Sequence, residues 1–198
     1  MPNPNHPKPG SSIRVSPIRT IEGIADIKKL LKNKPRDLAI FTLGINTCLR
    51  ASDILNIKAG QVRHVKHGDH FCVREKKTGK DKCITMNLSV EMTISALLKT
   101  MPKAKDTDYL FQSTKGDNQP LTVPALNALV KKWCDWVGLK GNYGSHTLRK
   151  TFGFMHYHVF KTPVVIIMDM LNHSNLKMTY IYLGIQPEDV KEAYMKEI

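Results

Sequence analysis

Cysteine is scarce in these 198 residues. There are four, at positions 48, 72, 83 and 134, with no CxxC pair and no regular framework. That spacing argues against a disulfide-built scaffold or a zinc ribbon and predicts free thiols in a reducing cytosol. Long apolar runs are missing too. The most conspicuous one, residues 164–168, is far short of the ~20 residues that span a bilayer. The opening stretch MPNPNHPKPGSS holds no apolar core of a secretory signal. Acidic residues are few: 17 Asp and Glu stand against 30 Lys and Arg, a net charge of +13. Hydrophobic residues nevertheless make up 41%, which excludes wholesale disorder. A chain of this length buries roughly two thirds of its unfolded surface and needs no staple. Its charge excess recruits polyanions, nucleic acid before anionic membrane.

Hydrophobic spacing divides the chain. Residues 1–19 carry Pro2, Pro4, Pro7, Pro9 and Pro17 with Lys8, Arg14 and Arg19, which predicts an extended basic arm. From Thr20 the pattern is helical: Ile24, Ile27 and Leu31, then Leu38, Phe41 and Ile45 behind Pro35, then a short helix over 51–57. Residues 62–86 hold two turn signals, Gly68-Asp69 and Gly79-Lys80, between β-branched and aromatic residues. They predict a three-stranded antiparallel meander. Helices return after Ser89, Thr122 and near His146, then over 164–171, 177–183 and 187–198. The expected class is mainly α with one small three-stranded sheet. His64, His67, His70 and Cys72 are close in sequence. The first strand would put His64 and His67 on opposite faces and no matching second pair follows, so they predict a polar hairpin rather than a metal site.

Three clusters carry chemistry. In CLRASDIL, Arg50 opens a helix beside free backbone N–H groups, a phosphate-binding geometry. In SHTLRKTFG, His146 and Arg149 stand three apart and share a helix face. One can move a proton while the other grips an oxyanion. In LNHSNL and the following TYIY, His173 precedes Tyr180 and Tyr182. A tyrosine hydroxyl attacks phosphorus when nearby cations stabilise the phenolate.

Taken in order, these motifs resemble the tyrosine recombinase (phage integrase) family, over roughly residues 20–186. The resemblance implies the DNA breaking-rejoining fold of that family's catalytic domain. It implies that Arg50 and Arg149 clamp a scissile phosphate, that His146 assists proton transfer and phosphate binding, and that His173 supports the phosphate. Tyr182 is the implied nucleophile, nine positions after His173; Tyr180 is the alternative. The family also places a general-acid lysine in a hairpin turn. Here EKKTGKDK occupies that turn, and its Lys-Thr-Gly spacing favours Lys77, with Lys80 and Lys76 open. Two positions depart from the pattern: Asp53 stands where Glu is commoner, and Asn172 replaces the usual Gly.

The implied activity is site-specific recombination of double-stranded DNA (integration, excision or inversion) through a 3′-phosphotyrosine, with no metal, ATP or other cofactor. A type IB topoisomerase-like relaxer and a catalytically idle DNA-binding regulator are the alternatives. The expected assembly is a homotetramer on two DNA sites, with accessory DNA-bending proteins or a partner recombinase, in the cytoplasm at the nucleoid and not at a membrane. Only about twenty residues precede the catalytic pattern. No core-binding domain is therefore expected, a layout similar to the fimbrial phase-variation invertases. The expected division is an arm over 1–19, a catalytic domain over 20–186 and a tail over 187–198 that either docks on a neighbouring subunit or folds back on its own domain.

Overall fold

Thr20, Asn87, Thr122 and Asn175 each lend a side-chain oxygen to a backbone N–H of the following turn, and each starts a helix. The computed structural model describes residues 15–185 and 187–197. In chain order the elements are α1 (Ile21–Leu30), α2 (Pro35–Asn46), α3 (Ala51–Leu55), α4 (Ala59–Val62), β1 (His70–Arg74), β2 (Asp81–Thr85), α5 (Leu88–Lys99), α6 (Val123–Trp136), α7 (Ser145–His158), α8 (Val164–Met170), α9 (Leu176–Leu183) and α10 (Pro187–Tyr194).

α2 is the axis of the main core. Ala39 to Gly44 are buried on every side, as α5, α7, α1 and α3 all pack against it. Phe41 meets the Trp133 ring of α6 edge-on at 6.1 Å. At Gly44, α2 and α7 approach too closely for a side chain. A Cβ there would lie 2.6 Å from Leu148 Cδ1 and 2.9 Å from Leu148 Cβ, inside van der Waals contact. A second, smaller core of Cys48, Phe152, Ile167, Leu171 and Leu183 joins α7, α8 and α9. It fixes α9 on the helix that carries SHTLRKTFG.

The sheet has two described strands, not the three expected. β1 and β2 pair antiparallel, with Phe71 opposite Ile84 and Val73 opposite Lys82. Residues 62–67, expected as the first strand ahead of the Gly68-Asp69 turn, make their backbone–backbone hydrogen bonds locally. Val62 ends α4, Val65 N–H donates to the Val62 carbonyl, and Asp69 N–H donates to that of Lys66. Gly68, at φ +90°, then leads into the ladder by donating to the Met86 carbonyl. Both turn signals are real turns, but only the second closes a hairpin.

The cysteine expectation is corrected as well. Cys72 and Cys83 are cross-strand partners with Cα atoms 4.0 Å apart, joined in a disulfide. Separation in sequence hid a pairing that only the strand register produces. Cys48 and Cys134 are free thiols and buried.

Residues 15–18 of the expected arm pack onto the fold. Residues 1–14 of it lie outside the described residues. Ile18 is fully buried and its N–H donates to Thr151 Oγ1 at 2.9 Å. Ser16 N–H donates to the Asn142 carbonyl, and the Val15 carbonyl accepts from Lys150 Nζ at 2.8 Å. Proline content concealed one apolar residue that fills the core.

Candidate active site

Arg50, Lys77, His146, Arg149, His173 and Tyr182 all line one cleft of about 500 Å³, with Thr78, Asn172 and Ser174 among its other walls. They come from five segments: the α3 N-terminus, the β1–β2 turn, the first two turns of α7, the loop after α8, and α9.

α7 starts where Asn127 of α6 crosses it. Asn127 Oδ1 accepts from Ser145 N–H at 2.9 Å. A Cβ on Gly144 would lie 2.3 Å from that oxygen, so glycine is required by close approach. His146 then stands in the first turn and Arg149 one turn on. Packing within the cleft, then the charges of Arg149, Lys150, Arg50 and Lys77, hold the His146 pKa below its ordinary value. Its imidazole is neutral at pH 7 and able to accept a proton.

Arg149 is 2% exposed. Its two terminal nitrogens donate to the carbonyls of Cys48 and Leu171. Cys48 adopts a left-handed φ of +51°, uncommon for a residue with a Cβ, and its carbonyl meets the guanidinium there. Arg149 Nη2 also lies 3.4 Å from His173 Nε2. A guanidinium only donates, so His173 Nε2 accepts. His173 Nδ1 then carries the proton and donates to Thr179 Oγ1 at 3.2 Å. Burial, then the charges of Arg149, Arg50 and Lys82, push the His173 pKa down to about 4.

The two tyrosines separate cleanly. Tyr182 lies in the cleft, with its ring centroid 4.8 Å from that of His173 and 5.7 Å from Arg149 Cζ. Tyr180 is 36% exposed and is not a cleft wall. α9 ends two residues after Tyr182 at Gly184, at φ +74°. His158 Nε2 meets the Leu183 carbonyl at 2.8 Å and ties that end to α7.

Of the three turn lysines, only Lys77 lines the cleft. Lys76 borders a separate hollow with Asp53, Asn56 and Arg74. Arg50 Nη1 donates to Glu75 Oε1 at 2.6 Å and lies 4.0 Å from Asp53 Oδ2. Asp53 Oδ1 accepts from Lys76 N–H at 3.0 Å. Asp53 thus bridges the arginine and the lysine turn.

Sequence reasoning overlooked Glu75, although an acid inside a run of lysines was a signal. It also overlooked Lys82, whose Nζ donates to the Met170 carbonyl and lies 3.2 Å from Cys48 Sγ. Nothing in the local pattern could have shown that contact, which spans 88 residues. Among the described residues no group of three or more His, Cys, Asp or Glu is placed to hold a metal ion, and no helix is long and apolar enough to cross a membrane.

Comparison with known proteins identifies the family and the fold. A sequence profile of the phage integrase family matches residues 19–189. The chain is 35% identical to the probable integrase/recombinase YoeC of Bacillus subtilis, over 91% of this chain and 95% of that protein. It is 32% identical to the tyrosine recombinase XerC of Caldanaerobacter subterraneus, over 95% of this chain and 53% of that one. It therefore spans nearly all of the first relative but about half of the second. Its fold is similar to a post-cleavage complex of the XerH site-specific recombinase with a palindromic difH substrate. That likeness has a TM-score of 0.74 at 18% identity and covers 93% of this chain and 53% of that one. Motif order, fold and profile converge: the chain belongs to the phage integrase family and is a tyrosine recombinase catalytic domain.

Proposed function

We propose that this recombinase cleaves double-stranded DNA with Tyr182 as nucleophile and the other five cleft residues as its electrostatic and proton-transfer apparatus. The observation that carries the reading is the convergence of one tyrosine, two arginines, two histidines and one lysine on a single cleft. Tyr182 Oη attacks the scissile phosphorus in line. Its proton passes to neutral His146, and the bond from phosphorus to the 5′ oxygen breaks as Lys77 protonates that oxygen. Arg50, Arg149 and His173 stabilise the charge that builds on the non-bridging oxygens. The products are a 3′-phosphotyrosine and a free 5′ hydroxyl. A second 5′ hydroxyl reverses the step and exchanges strands, so phosphodiester energy is conserved without ATP.

The net charge of +13 supports duplex DNA as the partner and implies binding that weakens steeply with salt. Assembly as a homotetramer on two sites, with accessory DNA-bending proteins or a partner recombinase, belongs to this reading. So do the division into an arm, a catalytic domain over 20–186 and a docking tail over 187–198, and cytoplasmic action at the nucleoid. The exposed Val190, Tyr194 and Met195 of the tail, at 50%, 85% and 75%, support its docking role.

Covalent trapping tests the proposal. The protein is mixed with sheared DNA from its source genome, quenched with SDS, and the protein-linked DNA sequenced. Adducts at one recurrent site that vanish in Tyr182→Phe and persist in Tyr180→Phe are expected. Tyr182-dependent adducts at random positions would favour a relaxer. Tight binding without adducts, even with cell extract added, would favour an idle regulator.

A further inference from the structure

Glu75 is the one acidic side chain of the β1–β2 turn drawn inside, with its side chain at 0% exposure. Three donors from three segments converge on its carboxylate. Arg50 Nη1 reaches Oε1 at 2.6 Å, Thr78 Oγ1 reaches Oε2 at 2.7 Å, and Asn172 Nδ2 reaches Oε2 at 3.1 Å. Its backbone closes the turn that carries Lys77: the Glu75 N–H donates to the Lys80 carbonyl, and the Glu75 carbonyl accepts from Gly79 N–H. Burial alone would raise its pKa. Hydrogen bonds from Thr78 and Asn172 and the charges of Arg50 and Lys82 outweigh that and hold it below the usual carboxylate range, so it is ionised at neutral pH.

Asn172 takes a left-handed φ of +51°, the conformation that glycine adopts most freely and asparagine tolerates best. Asparagine therefore keeps the turn that glycine would make and adds an amide that reaches Glu75. The next residue is His173. One buried carboxylate thus touches the segments that carry Arg50, Lys77 and His173, without lining the cleft itself.

We infer that Glu75 is a positioning residue, and that with Asn172 it locks Arg50, the Lys77 turn and the His173 loop into one preassembled arrangement before DNA arrives. The inference rests on the function proposed above. A free arginine side chain samples many rotamers; one held by a carboxylate presents its remaining donors in a fixed direction. The same carboxylate repels the DNA phosphate, so it opposes binding while it aids alignment. This opposition gives the role a signature that a merely structural ion pair lacks.

The test uses the recurrent duplex recovered by covalent trapping, nicked beside the cleavage position so that the released fragment diffuses away. Glu75→Gln keeps the shape and removes the charge. Its DNA Kd is expected to be unchanged or tighter, while single-turnover cleavage slows about 10–100-fold, the scale of a small misplacement of reacting groups. Asn172→Gly is expected to slow cleavage less, and the double variant no more than Glu75→Gln alone, because both act through one carboxylate. Cleavage within twofold of wild type, binding and cleavage lost together with thermal stability, or fully multiplicative effects would each overturn the inference. The free protein provides a second readout that needs no catalysis. The His173 ring signals in NMR are expected to shift in Glu75→Gln, although the two residues do not touch; unmoved signals overturn the inference. Wild-type protein that never forms an adduct would count against the proposed function, and the NMR comparison would still decide the positioning role.

Discussion

Arg149 has 2% exposure and makes no ion pair among the described residues; its charge is held chiefly by the carbonyls of Cys48 and Leu171. Arg149→Ala therefore strips two buried acceptors of their donor. Each unpaired acceptor costs about 1–3 kcal/mol. Relief from burying the guanidinium offsets part of this, leaving a net loss of roughly 2–4 kcal/mol. For a domain of this size that lowers Tm by roughly 5–15 °C. Arg149→Lys keeps the charge but lacks the planar fork, so it should lose about half as much. Cleavage should fall at least ~10²–10³-fold in the alanine variant. Urea unfolding followed by far-ultraviolet circular dichroism reads the first quantity. Covalent-complex formation at a temperature where both variants are folded reads the second. An alanine variant as stable as wild type would refute the carbonyl-bridging role, and one that cleaves normally would refute the phosphate role.

Three further outcomes are expected. Lys77→Met should slow cleavage strongly where Lys76→Met and Lys80→Met do not, and a substrate with sulfur in place of the 5′ bridging oxygen should restore Lys77→Met, since a thiolate leaves without a proton. Gly44→Ala should cost about 1–3 kcal/mol by forcing Leu148 and α7 away from α2, measured as a lower urea midpoint. His173 takes up its proton near pH 4 in the folded chain against 6.5 in its ordinary state; the unfolded chain binds more protons between those values, so stability is retained above pH 6.5 and falls as pH drops towards 4. The fall should be smaller in His173→Gln, as unfolding at pH 7.5 and pH 5 would report.

Arg50, His146, Arg149 and His173 were legible as motif residues, while Lys77 stayed one of three turn lysines and Tyr182 one of two tyrosines until the fold placed them on the cleft wall. His146 and Arg149 share a face by the helix period alone. What supports them was illegible because it depends on contacts between distant segments. Glu75 and Asn172 are 97 positions apart, Arg50 and Glu75 are 25 apart, and only the Thr78 contact of Glu75 is local. The Cys72–Cys83 pair needed a strand register, and the absent third strand needed the knowledge that residues 62–69 close local turns. Helix starts fared better, since Thr122 and Pro35 act on their own next turn. Asn87 rather than Ser89 caps α5, a shift of two positions between equally suitable capping residues.

The path of residues 15–18 has a practical reach. Val15 Cγ1 would lie 3.4 Å from a Cβ at Gly144, and the Val15 carbonyl is bound by the lysine next to Arg149. Whatever is fused ahead of Val15 is tethered at the N-terminus of α7, one residue before the helix that carries His146. A short flexible tether holds its cargo at millimolar effective concentration. A fluorophore attached there would report on DNA entering the cleft, and an anionic tag in the same place would compete with the substrate, whereas a tag after residue 197 is tethered to α10 instead.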